Sequence, residues 1–163
     1  KYVILGHSER RQLFGETNES VNLKMKAAIA HAITPIICVG ETLNDRESGK
    51  AKDVVLNQLR DSISGIGATT KIAIAYEPLW AIGTGIAATS TDAEDMMSDI
   101  RDMLTDTYGV SFSNQVSLLY GGSVNSNNIG EYITQKNING ALVGGASLEA
   151  SSFIDIAKAV SRA

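Results

Sequence analysis

Cysteine, proline and basic residues are all in short supply in this chain of 163 residues. The single cysteine, Cys38, can form neither a disulfide within the chain nor a zinc site made of several cysteines. No apolar run approaches the roughly 20 residues that a membrane-spanning helix requires, and two prolines are too few for a proline-rich linker. Acidic residues outnumber basic ones by 18 to 14, so a basic face for nucleic acid is not expected. We therefore predict neither nucleic acid nor a membrane as a partner, and a cytoplasmic location.

The residues that the chain does contain are typical of a globular domain. Hydrophobic residues make up 44% of the sequence and charged residues 20%. That balance provides enough apolar surface for a core and argues against disorder. The length is that of one domain, so we predict that residues 1–163 form a single domain.

Short apolar runs alternate with longer segments of helical periodicity. The runs predict β-strands at residues 2–5, 35–39, 72–76, 116–120 and 141–143. The longer segments predict helices at residues 22–31 and 50–64, from a Thr91-x-x-Glu94 capping box to about residue 108, and at 152–160. We interpret residues 7–15 and 40–49 as loops. Strands separated by helices predict an α/β fold with a parallel sheet, whose functional loops follow the carboxyl ends of the strands.

Two pairs of glycines follow the last two predicted strands. Gly121-Gly122 precedes Ser123, and Gly144-Gly145 precedes the last helix. Glycine lets backbone N–H groups approach an anion without a Cβ in the way. Either pair alone is equally compatible with a tight turn, but two successive pairs favour one phosphate held by both loops.

Glu77 and His7 are the candidate acid–base residues. Glu77 follows a predicted strand and precedes Pro78, which restricts its backbone, so it is a candidate general base. The plainer interpretation is a surface carboxylate. His7 also follows a strand, and its polar neighbours Ser8 and Glu9 favour a site over a structural histidine. We place Cys38 in the core, because it lies within an apolar strand.

These segments together resemble the triosephosphate isomerase family. The matching stretches occur in family order and are residues 2–11 (YVILGHSERR), 37–41 (ICVGE), 75–85 (AYEPLWAIGTG), 120–124 (YGGSV) and 142–147 (LVGGAS). The resemblance implies a TIM (β/α)₈ barrel, of which this chain supplies strands four to eight. It also implies interconversion of dihydroxyacetone phosphate and glyceraldehyde 3-phosphate through an enediolate, a step of glycolysis and gluconeogenesis.

The family's functional residues carry over position by position. Glu77 matches the base and His7 the electrophile, with Ser8 and Glu9 as supporting neighbours. Gly83, Ser123, Gly144 and Gly145 match positions whose backbone amides hold the substrate phosphate. The resemblance implies no metal or organic cofactor, and a homodimer for the complete protein.

The length departs from that of the family. A barrel of this kind has roughly 250 residues, and the first strand here resembles the family's fourth. We therefore expect this chain to be the C-terminal two thirds of an isomerase, without the family's catalytic lysine and poorly active alone. The alternative is a non-catalytic phosphate-binding α/β module of the flavodoxin-like kind. Strand order distinguishes the two, since an open edge at residues 2–5 favours the partial barrel.

Overall fold

The strands form one parallel sheet in the order in which they occur along the chain. A computed structural model describes residues 1–82 and 88–162. The sheet consists of β1 (Tyr2–Leu5), β2 (Thr34–Val39), β3 (Ala73–Tyr76), β4 (Ser117–Tyr120) and β5 (Gly140–Ala141). Its order is β1-β2-β3-β4-β5, with every pair parallel. This is the order of consecutive strands in a barrel wall, and it differs from the flavodoxin-like order 2-1-3-4-5.

Helices connect the strands and cover the sheet. They are α1 (Ser8–Phe14), α2 (Asn18–Ala30), α3 (Leu43–Glu47), α4 (Ala51–Ser62), α5 (Ser90–Tyr108), α6 (Val110–Gln115), α7 (Ile129–Ile133) and α8 (Ala150–Val160). Two 3₁₀ turns, Leu79–Ala81 and Gly145–Leu148, follow the carboxyl ends of β3 and β5. In the part of the chain that the structure describes, no helix combines the length and hydrophobicity needed to cross a membrane.

The core lies between the sheet and the apolar faces of these helices. On α5 the buried residues recur at helical spacing and include Met96, Met97, Ile100 and Leu104. All four residues of β3 are buried, as a strand covered on both faces requires. Cys38 is completely buried in β2, which confirms its predicted place in the core.

Several predicted boundaries are wrong, and capping, helix length and the early end of a strand each account for some of the differences. Helix α5 is capped by Thr89 and Asp92 rather than by Thr91 and Glu94, because the Thr89 and Asp92 side chains each accept from the other's backbone N–H. The predicted loops 7–15 and 40–49 contain α1 and α3, whose 7 and 5 residues are too short to show a helical period. The fifth strand ends at Ala141, so Leu142 and Val143 line a cavity instead.

Strand register determines which residues meet at the carboxyl edge of the sheet. Val39 pairs with Tyr76, and Tyr76 pairs with Tyr120. The next residues along these strands, Gly40, Glu77 and Gly121, therefore lie side by side. The register thus places a carboxylate between two glycines at the edge where parallel α/β proteins form their sites.

Candidate active site

A cavity of about 590 Å³ opens at the carboxyl edge of the sheet. That volume is in the range of small-molecule sites. Its lining brings together residues from four of the strand ends and includes His7, Glu77, Gly122, Ser123, Gly144 and Gly145. Residues separated by more than 130 positions in the sequence therefore share one cavity.

The Glu77 carboxylate and the His7 imidazole are in direct contact. His7 Nε2 lies 3.0 Å from Glu77 Oε1. The backbone N–H of Ser8 donates to the other carboxylate oxygen, Oε2, at 3.0 Å. Both oxygens of Glu77 are thereby oriented by the turn that begins α1. The surface-carboxylate interpretation of Glu77 is wrong, because only 2% of this residue is exposed.

The other ring nitrogen of His7 identifies the tautomer. The backbone N–H of Glu9 donates to His7 Nδ1 at 3.3 Å, and His7 is the N-cap of α1. A nitrogen that accepts a hydrogen bond carries no proton, so the ring proton lies on Nε2. The imidazole is therefore arranged to donate from Nε2 toward the cavity, where Glu77 accepts.

Burial is the largest influence on the pKa of the Glu77 carboxyl group. Loss of solvent raises its pKa above the ordinary value of 4.5, and the Glu9 carboxylate raises it further. The nearby His7 ring, the Ser8 N–H and the Arg11 guanidinium lower the pKa and oppose this shift in part. A carboxylate whose pKa is raised is a stronger base than an exposed one, which suits proton abstraction near neutral pH.

Glycines on both sides make room for Glu77. A Cβ on Gly40 would lie 1.8 Å from the backbone oxygen of Glu77, and a Cβ on Gly121 would lie 2.8 Å from Glu77 Cγ. The Glu77 N–H donates to the Val39 carbonyl, and the Gly121 N–H donates to the Tyr76 carbonyl, each at 2.8 Å. Backbone pairing and the absence of side chains on both neighbours together hold Glu77 in place.

The two glycine-rich loops face the same cavity with unused backbone donors. Among residues 1–82 and 88–162, no protein acceptor is found for the backbone N–H groups of Gly122, Ser123, Gly144 or Gly145. A Cβ on Gly144 or Gly145 would meet nothing within 4 Å, so this backbone is open to a ligand. Such converging N–H groups are an arrangement that binds oxyanions. The predicted contact at Gly83 lies outside the described residues.

The hydroxyl of Ser123, unlike its backbone N–H, has a hydrogen-bond partner among the described residues. It donates to the Ala81 carbonyl at 2.6 Å, while the Asn128 side chain donates to the Ser123 carbonyl at 3.0 Å. The side chain therefore ties the β4 loop to the 3₁₀ turn after β3, and the amide remains for an anion.

Sequence reasoning missed the residues that clamp the peptide before His7. The Glu16 carboxylate accepts the Gly6 N–H at 2.9 Å, and the Arg11 Nε donates to the Gly6 carbonyl at 2.7 Å. Gly6 has a φ of +71°, which favours glycine. Glu16 is itself buried and paired with Lys24. A glycine directly before a candidate catalytic histidine was the available signal, but one of its partners lies in α1 and the other in the loop between α1 and α2.

A second missed group holds the segment that follows Glu77. The buried Oε1 of Glu41 accepts from the Tyr76 hydroxyl at 2.9 Å and from the Trp80 indole N–H at 2.8 Å. The Arg46 guanidinium lies over the Trp80 ring at 4.5 Å and pairs with Asp92. Glu41 was part of a matched segment, but no periodic pattern connects it to an aromatic residue 39 positions later.

The fold and the site together define a class. Consecutive parallel βα units, with functional side chains and loops at the carboxyl edge of the strands, are the arrangement of (β/α) barrel proteins. A family model described as triosephosphate isomerase matches residues 1–160. The triosephosphate isomerase of Thermoanaerobacter pseudethanolicus (strain ATCC 33223 / 39E) is 49% identical over 158 residues, which cover 96% of this chain and 64% of that protein.

The chain belongs to the triosephosphate isomerase family. It spans 64% of the length of the curated relative that it matches. The family match confirms the predicted fold class, and the sequential strand order agrees with part of a barrel.

Proposed function

We propose that the complete protein to which this sequence belongs interconverts dihydroxyacetone phosphate and glyceraldehyde 3-phosphate. The observation that carries the proposal is the 3.0 Å contact between His7 Nε2 and Glu77 Oε1 inside a cavity lined by unused backbone N–H groups. Family membership supplies the substrate class. The same membership supports a role in glycolysis and gluconeogenesis, a cytoplasmic location and a homodimer for the complete protein.

Each step can be assigned to a group in the cavity. The amides of Ser123, Gly144 and Gly145 hold the phosphate, which places the adjacent carbons near Glu77. The Glu77 carboxylate removes a proton from the carbon next to the carbonyl. The Nε2–H of His7 donates to the carbonyl oxygen and stabilises the negative charge that forms there. The proton of the neighbouring hydroxyl then passes to the former carbonyl oxygen by way of the His7 imidazole. Glu77 returns its proton to that former carbonyl carbon, so the product is an isomer of the substrate and no atoms are gained or lost.

The substrate must separate His7 from Glu77. In the described state these side chains satisfy each other, so an entering carbonyl replaces the carboxylate as the acceptor of the Nε2 proton. The backbone N–H of Ser8 stays on Glu77 Oε2, which leaves Oε1 as the basic oxygen. Ser8 therefore acts through its backbone, and Glu9 acts by fixing the tautomer of His7.

Substitution of Glu77 tests the proposal. Turnover is measured with a coupled assay for two proteins. The first is the chain alone, and the second, the supplemented protein, is the chain fused to the segment of the Thermoanaerobacter relative that lies outside the match. We expect low turnover for the chain alone. In the supplemented protein, Glu77→Gln should lower kcat by about 10²–10⁴-fold because the general base is lost. Binding of an unreactive phosphate ligand should change little, since the loop amides remain.

Glu47→Gln is the matched control, because Glu47 is an exposed carboxylate at the end of α3. Its kcat should equal that of the parent. An unchanged kcat in Glu77→Gln would refute Glu77 as the base. Phosphate-ligand binding without turnover in the supplemented parent would favour the non-catalytic module.

A further inference from the structure

A second cavity of about 360 Å³ lies at the opposite, amino end of β4 and β5. Helix α5 contributes Arg101 and Asp102 to its wall, and α6 contributes Asn114. The loop before β5 contributes Lys136 and Asn139. It shares no lining residue with the candidate active site.

Arg101 is the central group of this second cavity, and its hydrogen bonds leave donors unused. Its Nη1 donates to the carbonyls of Ser113 and Val116, and its Nη2 donates to Asn139 Oδ1 at 3.1 Å. These three bonds leave the Nε–H and one Nη2 hydrogen, of the five that a guanidinium carries, without a protein acceptor among the described residues. Within that same part of the chain, no carboxylate lies within ion-pair distance of Arg101.

Burial lowers the pKa of Arg101, and the Glu94 carboxylate, which opposes this shift, is already occupied by other donors. Glu94 accepts the Asn137 backbone N–H at 3.0 Å and the Asn137 side-chain amide at 2.8 Å, one on each oxygen. Asp102 is exposed on the rim. Lys136 adds a second positive charge to the lining and makes no ion pair within residues 1–82 and 88–162.

We propose that this cavity binds a small oxyanion, a carboxylate or a phosphate group. The Arg101 guanidinium supplies the fixed charge and the unused N–H donors, which match the planar geometry of such groups. Lys136 supplies a mobile charge. The side-chain amide of Asn139, whose oxygen holds Arg101 and the Leu118 N–H, supplies a further donor from its nitrogen. A half-buried guanidinium that forms no ion pair with the described residues gains from a bound anion, because its charge is partly removed from water.

Asn139→Asp is the most informative variant. The aspartate keeps the oxygen that accepts from Arg101 and Leu118, so the local fold is preserved. It replaces the free amide donor by a negatively charged oxygen. The new carboxylate gives Arg101 a counter-ion within the chain and repels an anionic ligand. Asn57→Asp is the matched control, because the Asn57 oxygen also accepts from an arginine, Arg60, on the remote surface of α4.

The chain labelled with ¹⁵N is titrated with inorganic phosphate and, separately, with acetate, at constant ionic strength set by chloride. We expect saturable shifts of the side-chain amide signals of Asn114 and Asn139 and of the Arg101 Nε–H signal. Asn139→Asp should weaken this binding by roughly tenfold or more. Lys136→Gln should weaken it by a few-fold, and Asn57→Asp should leave it unchanged.

Shifts confined to Gly122, Gly144 and Gly145 would overturn the proposal, because they report the candidate active site alone. Equal affinity in Asn139→Asp and the parent would overturn it as well. Saturation by both anions supports the shared oxyanion chemistry, and saturation by phosphate alone assigns the site to phosphate groups.

Discussion

Replacing Gly40 by alanine tests how the sheet holds Glu77. The added Cβ would lie 1.8 Å from the Glu77 carbonyl oxygen, 2.7 Å from its carbonyl carbon and 2.9 Å from Leu79 Cδ1. The nearest obstacles are backbone atoms, which cannot rotate away as a side chain can. Either β2 or the backbone at Glu77 must therefore move.

The size of the movement and its cost follow from these distances. Cβ atoms essentially never approach another atom closer than 3.0 Å, so the two backbones must separate by at least 1.2 Å, the difference between 3.0 and 1.8 Å. Overpacking costs about 1–3 kcal/mol, and a backbone obstacle places this case near 3 kcal/mol. For a chain of this length that loss lowers Tm by roughly 6–12 °C. Under the proposed function, displacing Glu77 by about 1 Å should also lower the turnover of the supplemented protein by about 100-fold.

Urea and thermal unfolding measure the stability loss, with the fluorescence of Trp80 as the probe, since it is the single tryptophan. Gly130→Ala is the matched control, because a Cβ there would meet nothing within 4 Å and the residue lies in α7. Alanine in a helix should stabilise the chain by about 0.5–1 kcal/mol. Equal Tm values for Gly40→Ala and Gly130→Ala would refute the packing argument.

Two further predictions concern the same edge of the sheet. Because burial raises the pKa of Glu77 in the folded chain, this group favours folding most below pH 4.5, and that contribution is lost as pH rises through the folded pKa. Glu77→Gln should therefore match the parent in free energy of unfolding below pH 4.5 and exceed it increasingly toward neutral pH; a difference that does not change with pH would contradict this. Ser123→Ala should lower the free energy of unfolding by about 0.5–1.5 kcal/mol, because the buried Ala81 carbonyl loses its donor. Urea titration beside Ser147→Ala, which removes an exposed hydrogen bond to Gly144, checks this, and equal losses in the two variants would count against it.

Periodic patterns made the sheet and the long helices predictable. Apolar runs located all five strands, with β1 matching in both boundaries, and the spacing of Met96, Met97, Ile100 and Leu104 located the buried face of α5. Helices α1, α3, α6 and α7 have 5 to 7 residues each, which is fewer than two full turns and too short for a reliable period. The N-terminus of α5 was shifted because two overlapping Thr-x-x-acid patterns compete there, and only the geometry of the caps distinguishes them.

In the candidate site, too, some residues could be predicted from the sequence and others could not. His7 and Glu77 could be proposed because each directly follows an apolar run, and parallel strands bring their carboxyl ends together. The backbone directly before His7 is held by the Arg11 and Glu16 side chains, which form hydrogen bonds with the C=O and N–H of Gly6. Nothing in the local sequence specifies such a pairing, because the partner is an ordinary N–H or C=O group that every residue carries.

The surroundings of Glu77 are determined mainly by the register of the neighbouring strands. Gly40, Glu77 and Gly121 directly follow three neighbouring strands, and the register places these three residues in one row. A glycine on each side lets the carboxylate sit 2% exposed while the backbone pairing of the sheet continues around it. A Cβ on either neighbour would lie closer than 3.0 Å to an atom of Glu77, so the glutamate could not keep its present buried position. Burial is the main cause that raises the pKa of this carboxyl group. The pKa of Glu77 therefore depends partly on two residues that carry no functional group, Gly40 and Gly121, which contribute to the candidate site by leaving room for the carboxylate.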